Sequence, residues 1–392
     1  MISVNEALDA LFALVSPPDP EDVRLRKASG RVLAREAVAT RDQPPFSSSS
    51  MDGYALRGAD ALEGAELTVI GEAAAGHSFE GMVSPGQAVR IFTGAPLPTG
   101  ADHVEIQENV TRTGDHIRLE SPEKSPANVR PLGGDFRAGD TLRAPRRLSP
   151  ADIALLASMN VDRVTVARRP IVALISTGDE LVMPGETPGP DQIIASNTLG
   201  LEALLAAEGA DPRVLPIARD TPESLESAFR FARGADLIVT IGGASDGDHD
   251  LVRSVAGTQG LMQSFYKVAM RPGKPLMAGR LADVPIIGLP GNPVSALVCG
   301  HVFLVPVLRA MLGLPAQLAS RRTAPLAHDL GKNGPREHYM RARFNEDGAL
   351  GVFERQDSSL LGLLSSADAL AVRPPHDPPR AAGERLAYLP LG

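Results

Sequence analysis

From about residue 169 to 315 the chain alternates apolar runs with amphipathic stretches, and that alternation predicts an open α/β sheet. Strands are expected at 171–176, 213–217, 237–240, 265–269, 276–279 and 285–289. The run Leu237, Ile238, Val239, Thr240 reads as a buried parallel strand, because apolar positions follow one another without period-two alternation. Helices are expected from Asn197 as cap through Leu205, from Thr221-Pro222 through Ala232, and over a long stretch beginning near Pro293. Strand–helix–strand repetition of this kind gives a mostly parallel sheet whose ligands bind outside the carboxyl ends of the strands.

The flanks follow other patterns. Ser3 with Glu6 three residues on forms a capping box, and Ala7, Leu8, Leu11, Phe12 and Val15 share one helical face. A second short helix is expected over 30–37. From Pro44 to about Leu148 short β runs are broken by Gly and Pro, until Ser149-Pro150-Ala151-Asp152 opens another helix through Leu156, and 164–167 leads out. Residues 316–392 lose helical periodicity and become Pro- and Arg-rich β pieces. The expected organisation is multidomain α/β and β: a discontinuous N-terminal mixed linker domain (1–43 plus 141–168), an inserted β-rich domain (44–140), a central open, mostly parallel α/β domain (169–315) and a C-terminal small β-barrel-like domain (316–392).

Chemistry gathers at strand ends. The strand at 171–176 runs into Thr177-Gly178-Asp179-Glu180, and that at 285–289 into Pro290-Gly291-Asn292-Pro293. The strand at 237–240 runs into Gly242-Gly243, then Ser245, Asp246, Gly247, Asp248 and Asp250. Parallel strands bring these three loops to one rim. Glycines there can present backbone N–H groups, a following helix N-terminus adds partial positive charge, and the carboxylates are hard oxygen donors suited to Mg²⁺ beside phosphate. The helix expected after the glycine-acid loop, 249–255, is short, so anion binding is assigned more to the glycine backbone and nearby lysines than to a helix dipole. No Walker lysine follows the glycines, and position 257 is Gly rather than the bidentate Glu of a calcium loop. Histidines show no metal-ligand spacing that would support zinc. Lys267, Arg271 and Lys274 read either as a charged hairpin tip or as part of the site.

Composition narrows the classes. A net charge of −8 gives no electrostatic footprint for nucleic acid. One cysteine, Cys299 in an apolar run, excludes an intramolecular disulfide and fits a cytoplasmic protein. The start MISVNEALDALFALV has no basic leader segment, and no apolar run reaches the roughly 18 residues of a membrane span, so neither secretion nor membrane insertion is expected. Lysine is scarce at five positions (27, 124, 267, 274 and 332), and a retained lysine among arginines hints at a wanted point charge.

Read in order, SSMDGYA (49–55), IFTGAPLP (91–98), STGDEL (176–181), SN (196–197), TIGGASDGDHD (240–250), RPGKP (271–275) and GLPGNPVSA (288–296) resemble one family across essentially the whole chain. That family is the molybdopterin molybdenumtransferases, the MoeA proteins of bacteria and the gephyrin E domain of animals. Single motifs such as GGAS are shared with molybdopterin adenylyltransferases and CinA-like proteins; MDGYA with TGDEL and PGNPVSA is specific. The resemblance implies a cytoplasmic homodimer in which the 169–315 domain binds molybdopterin. It implies Mg²⁺-dependent insertion of molybdate into adenylylated molybdopterin, releasing AMP, in a cleft completed by the partner subunit. Transient contact with molybdopterin adenylyltransferase and with molybdoenzyme maturation proteins belongs to the same expectation, with no membrane or nucleic-acid partner.

Carried over position by position, the resemblance implies catalytic roles for Asp52, Thr93, Asp135, Glu180, Asp220, Asp250, Lys267 and Lys274. It implies substrate binding by Gly242, Gly243, Ser245, Arg271, Pro290, Gly291, Asn292, Pro293 and Arg336, with Glu180 and Asp250 as metal ligands. Arg271 stands where relatives commonly have lysine, and Asp246 where valine often stands. Two rival classes are the preceding adenylyltransferase step and a non-catalytic molybdopterin-binding scaffold. The insertion and the C-terminal domain argue against the first, and the full set of acids and lysines against the second.

Overall fold

The computed structural model describes residues 1–243 and 251–391, so Ser245, Asp246, Asp248 and Asp250 lie outside the described residues. The chain divides into two compact units, one of 1–21, 30–34 and 166–392, the other of 22–29 and 35–165.

The first unit is built on a six-stranded sheet in the order Asp211–Val214, Ile171–Ser176, Leu237–Ile241, Val284–Leu289, Met277–Leu281, Leu261–Tyr266. Its first four strands are parallel, and the last two pairings are antiparallel, so Met277–Leu281 alone runs the other way. Ser176 pairs with Ile241 and Ile241 with Leu289, which sets the carboxyl ends of the three central strands abreast. All five residues of Leu237–Ile241 are buried, as its unalternating apolar sequence requires.

The helix Val4–Leu14 has both halves of its capping box, with Ser3 Oγ accepting from the Glu6 N–H and the Glu6 carboxylate from the Ser3 N–H. It buries Val4, Ala7, Leu8 and Leu11 in the same core as Val239, Leu289 and Phe303, a gain of roughly 1.5–3 kcal/mol for each large side chain. Residues Pro293–Met311 form one continuous helical stretch of 19 residues, with a π turn at Gly300–Leu304. This is the long helix expected from Pro293, and by length and composition it could cross a membrane, although no uninterrupted apolar run of that length is present. Here it is the core helix, 72 % buried over its most apolar window. The C-terminal sheet, centred on Glu337–Phe344, Ala369–Arg373 and Arg385–Pro390, adds Tyr339, Leu370, Val372 and Leu389 to this core.

Asp236 fastens the start of the central strand. Its carboxylate accepts from both terminal nitrogens of Arg168 at 3.0 and 2.8 Å and from the Ile171 N–H at 2.7 Å. Asp236→Ala leaves that guanidinium and that partly buried N–H without their acceptor. It is expected to cost about 2 kcal/mol, read as a lower urea midpoint at unchanged m-value.

In the second unit a six-stranded sheet runs His103–Ile106, Gly53–Leu56, Gln87–Ile91, Glu66–Ala73, His116–Leu119, Val110–Thr113. Ala55, Val89, Ile91 and Val104 fill one of its clusters, and Tyr54, Leu56, Ala88 and Ile117 another. The helix Pro150–Ser158 is capped by Ser149 and Asp152 as their spacing predicts.

Several local expectations change. Residues 30–37 hold no helix: Gly30 turns at φ +74°, and short strands lie at Val32–Leu33 and Ala37–Val38. The strands expected at 213–217 and 265–269 are Asp211–Val214 and Leu261–Tyr266. The helix after the glycine-acid loop is stronger than its sequence suggests, spanning Leu251–Thr258 with Val252, Val255 and Ala256 buried. Asn197 lies inside the helix Ser196–Ala207 and caps nothing; its side-chain amide donates to the Gly291 carbonyl at 2.6 Å. Leu361–Ser365 adds a short helix to the C-terminal region.

Candidate active site

The three polar loops converge on one cleft of about 650 Å³ at the rim of the parallel sheet. From the loop after Ile171–Ser176 come Thr177, Gly178 and Glu180; from the central strand, Gly242 and Gly243; from the last parallel strand, Pro290, Gly291, Asn292 and Pro293. Asp220 joins them after the edge strand.

Gly178 makes room for Glu180. At φ +149°, a Cβ on Gly178 would overlap the Glu180 carboxylate, which folds back over the glycine. Arg219 Nη1 ties the same loop down by donating to the Asp179 carbonyl at 2.8 Å, and the Asp220 N–H donates to Asp179 Oδ1 at 3.1 Å. Partial burial, with Asp179 and Glu180 close by, raises the Asp220 pKa above the ordinary carboxylate value.

A carboxyl group whose pKa is raised on folding holds its proton longer in the folded chain than in the unfolded one. Stability from this group is therefore greatest in acid and is lost as pH rises from the unfolded value, about 3.9, through the folded one. Asp220→Asn is thus expected to raise the melting temperature at pH 7 in the absence of divalent ions. The gain should vanish below about pH 4, where both states are protonated. A scan of melting temperature against pH reads both points.

The donor set suits Mg²⁺. Among the described residues no three His, Cys, Asp or Glu side chains form a complete ligand group. Mg²⁺, however, takes one or two carboxylates and completes its shell with water and substrate phosphate oxygens. Glu180 and Asp220 offer hard oxygens in a cleft where the like charges around Asp220 favour a cation. Asp250 lies outside the described residues.

The backbone contributes less to anion binding than the glycines promise. The Thr177 N–H donates to Ile241 O, that of Gly178 to Ala218 O and that of Gly242 to Leu289 O. At the last helix Pro293 has no N–H, and the N–H of Val294 donates to the Ser358 carbonyl. Gly243, Gly291 and Asn292 remain, their N–H groups making no hydrogen bond among the described residues. The paired glycines serve close packing: a Cβ on Gly242 would stand 2.7 Å from Thr177 O, and one on Gly243 would overlap Val252. Beneath them the buried hydroxyls of Thr177 and Thr240 lack a partner among the described residues.

Lys267, Arg271 and Lys274 do not line the cleft themselves; their neighbour Pro275 does. Lys267 adopts φ +71°, unusual for a residue with a side chain, and is held by Ile2 N–H to Lys267 O at 3.2 Å and Lys267 N–H to Leu276 O at 3.0 Å. Its ammonium lies 5.0 Å from the Tyr266 ring centre, and the Val268 N–H donates to Lys274 O at 3.0 Å. Met270–Arg271 is a short strand rather than a hairpin tip, with Met270 buried and Arg271 exposed. It pairs in parallel with Glu337–Phe344, Arg271 opposite His338, and Arg336 Nη1 donates to Met270 O at 3.4 Å. Burial, reinforced by Arg271, Arg341, Arg336 and Arg373, lowers the His338 pKa to about 4, so the imidazole is neutral at physiological pH.

In the second unit, Asp52 and Thr93 form a pair. Asp52 Oδ1 accepts from the Thr93 N–H at 2.7 Å and from its hydroxyl at 2.8 Å, and the backbone bond chiefly lowers the Asp52 pKa. Arg90 braces the pair: its guanidinium lies 5.1 Å from the Tyr54 ring and 4.8 Å from the Phe92 ring and donates to Gly53 O at 3.0 Å. Asp135 sits exposed on a turn, its N–H donating to Gln43 O at 2.9 Å.

Sequence reasoning did not find the apolar wall of the cleft, Leu181, Ile193 and Ile194, nor Arg219. Ile193 and Ile194, paired with Leu181 and Val182, are 58 % and 38 % exposed, and two adjacent isoleucines in a Pro/Gly-rich loop were the available signal.

Three family models match in turn: the MoeA N-terminal region (domain I and II) over residues 2–160, a probable molybdopterin binding domain over 173–310, and the MoeA C-terminal region (domain IV) over 323–391. The chain is 35 % identical to a molybdopterin molybdenumtransferase of Nostoc sp., covering 100 % of this chain and 94 % of that protein. It is 34 % identical to molybdopterin molybdenumtransferase 2 of Mycobacterium tuberculosis, over 98 % of each. The crystal structure of a molybdopterin biosynthesis MoeA protein from Pyrococcus horikoshii superposes with a TM-score of 0.86 at 29 % identity, covering 100 % of this chain and 99 % of that one.

Proposed function

The chain belongs to the molybdopterin molybdenumtransferase family, and we propose that it inserts molybdenum from molybdate into adenylylated molybdopterin, releasing AMP and yielding molybdenum cofactor. The observation that carries this reading is the cleft itself, where Glu180 and Asp220 face Gly242, Gly243 and Pro290–Pro293 at the ends of adjacent parallel strands. Bound Mg²⁺ would supply charge neutralisation at the pyrophosphate oxygens, with Glu180, Asp220 and Asp250 as its protein ligands.

Glu180 is placed by the glycine beneath it, and Asp220, with its raised pKa, is the carboxyl group suited to take the proton of the oxygen nucleophile that attacks the adenylyl phosphorus. Lys267, Lys274, Arg271 and Arg336 supply positive charge for molybdate or for the developing phosphate charge. Asn197 fixes the PGNP loop through Gly291, and Ile193 and Ile194 keep water from one wall. The Gly243 N–H, with Ser245 and its neighbours, offers the backbone contact to the terminal phosphate. The reading includes a cytoplasmic homodimer in which Asp52, Thr93 and Asp135 of one subunit act at the cleft of the other.

Two parallel incubations test it. One supplies adenylylated molybdopterin, molybdate and Mg²⁺; the other supplies molybdopterin and ATP. AMP with active cofactor in the first supports insertion. Adenylylated product in the second alone assigns the preceding step, and binding without turnover in both assigns a scaffold.

A further inference from the structure

We propose that the unit of residues 22–29 and 35–165 carries a second anion site, for a small phosphorylated molecule, in a cavity of about 330 Å³ lined by Asp22, Val23, Arg24, Arg26, Lys27 and Arg163. It shares no residue with the cleft of the parallel sheet.

Four of the six lining residues are cations, and Asp22 brings the only carboxylate. That carboxylate is engaged, accepting from Thr165 Oγ1 at 2.6 Å, while Arg163 Nη2 donates to the Asp22 backbone carbonyl at 3.3 Å. Among the described residues no ion pair joins Arg24, Arg26, Lys27 or Arg163 to an acid. Some arginines elsewhere are paired, Arg31 with Glu21 at 2.5 Å, Arg146 with Asp152 at 2.9 Å and Arg168 with Asp236 at 2.8 Å. In a chain of net charge −8 the hollow thus gathers four cations against one carboxylate that is already engaged, a local excess of positive charge. Lys27 is moreover one of only five lysines.

The lining also selects the ligand. Val23 is the sole apolar residue, which leaves no buried anchor of the kind that holds a protein segment. The volume falls at the lower end of small-molecule pockets, about 300–1,000 Å³. Three guanidinium groups and one ammonium lining an open hollow match phosphate oxygens. The class is a compact anion of two or more charges, a pyrophosphate or nucleoside monophosphate.

The test titrates the full chain with inorganic pyrophosphate and with AMP at about 0.15 M salt, where diffuse surface attraction is screened beyond about 8 Å. Binding is read by calorimetry and by hydrogen exchange. A Glu180→Gln/Lys274→Gln chain should keep one binding event, with exchange protection at 22–27 and 163. Adding Arg24→Gln/Arg26→Gln/Lys27→Gln should weaken that event at least about tenfold. The three substitutions alone should leave AMP release from adenylylated molybdopterin unchanged, which separates this site from the proposed reaction. If the triple variant loses its native circular dichroism, Arg26→Gln alone should still weaken binding severalfold. The proposal is overturned if neither probe binds, if binding ignores loss of these cations, if it disappears with the cleft substitutions, or if a polyglutamate peptide binds more tightly than pyrophosphate.

Discussion

Glu180→Gln is expected to lower Mg²⁺-dependent AMP release by about 10²- to 10³-fold, the usual cost of removing one preorganised charged group from a reacting centre. Folding should be nearly untouched. Glu180 is exposed and its carboxylate has no hydrogen-bond or ion-pair partner among the described residues, so the side-chain amide should shift stability by no more than about 0.5 kcal/mol. The loss should fall mainly on kcat, and raising Mg²⁺ should recover part of it if Glu180 holds the ion. Rates and melting temperature measured together decide the point. An active Glu180→Gln chain would place the chemistry elsewhere, and an unstable one would make Glu180 a structural residue.

The second large effect is expected at Gly242, with a different signature. This residue sits at φ +95°, and its missing Cβ faces a backbone carbonyl, Thr177 O, at 2.7 Å. A flexible side chain could swing away; a carbonyl between the strand end and the Glu180 loop cannot. Gly242→Ala therefore combines backbone strain of about 1–3 kcal/mol with displacement of two of the three rim loops. Stability and activity should fall together, by about 2–4 kcal/mol and by at least about tenfold. Gly291→Ala is the control: its Cβ would meet only Gly242 Cα, at the ordinary contact distance of 3.5 Å, and stability should be nearly unchanged. Urea denaturation with the AMP assay checks both.

The rim was legible because its logic is local. Three apolar runs each end in a Gly- or Pro-containing polar turn, and parallel strands share one polarity, so TGDE, GG and PGNP had to emerge together. The N-terminal capping box and the Ser149 N-cap were legible for the same reason, their residues lying within four positions. What stayed hidden depends on partners distant in sequence. The N–H groups of Gly178 and Gly242 are taken by Ala218 and Leu289, which no turn motif announces. Arg271 finds its strand partner in His338, so a loop that reads as a hairpin tip becomes the edge of the C-terminal sheet. Residues 30–37 carry helical spacing, yet Gly30 turns the chain and Val32–Leu33 is a strand, tertiary pairing overriding a weak propensity. The apolar wall escaped because Ile193 and Ile194 look like ordinary core residues until a fold leaves them facing a cleft.

The central claim, that the rim cleft couples adenylate removal to molybdenum insertion, is tested most directly by stoichiometry. Purified chain, adenylylated molybdopterin and Mg²⁺ are mixed with increasing molybdate, and the AMP released is counted against the molybdenum retained in the pterin product. One AMP per molybdenum retained is expected, with little release when molybdate or Mg²⁺ is left out. AMP released at the same rate without molybdate, or molybdenum retained without AMP, would contradict it.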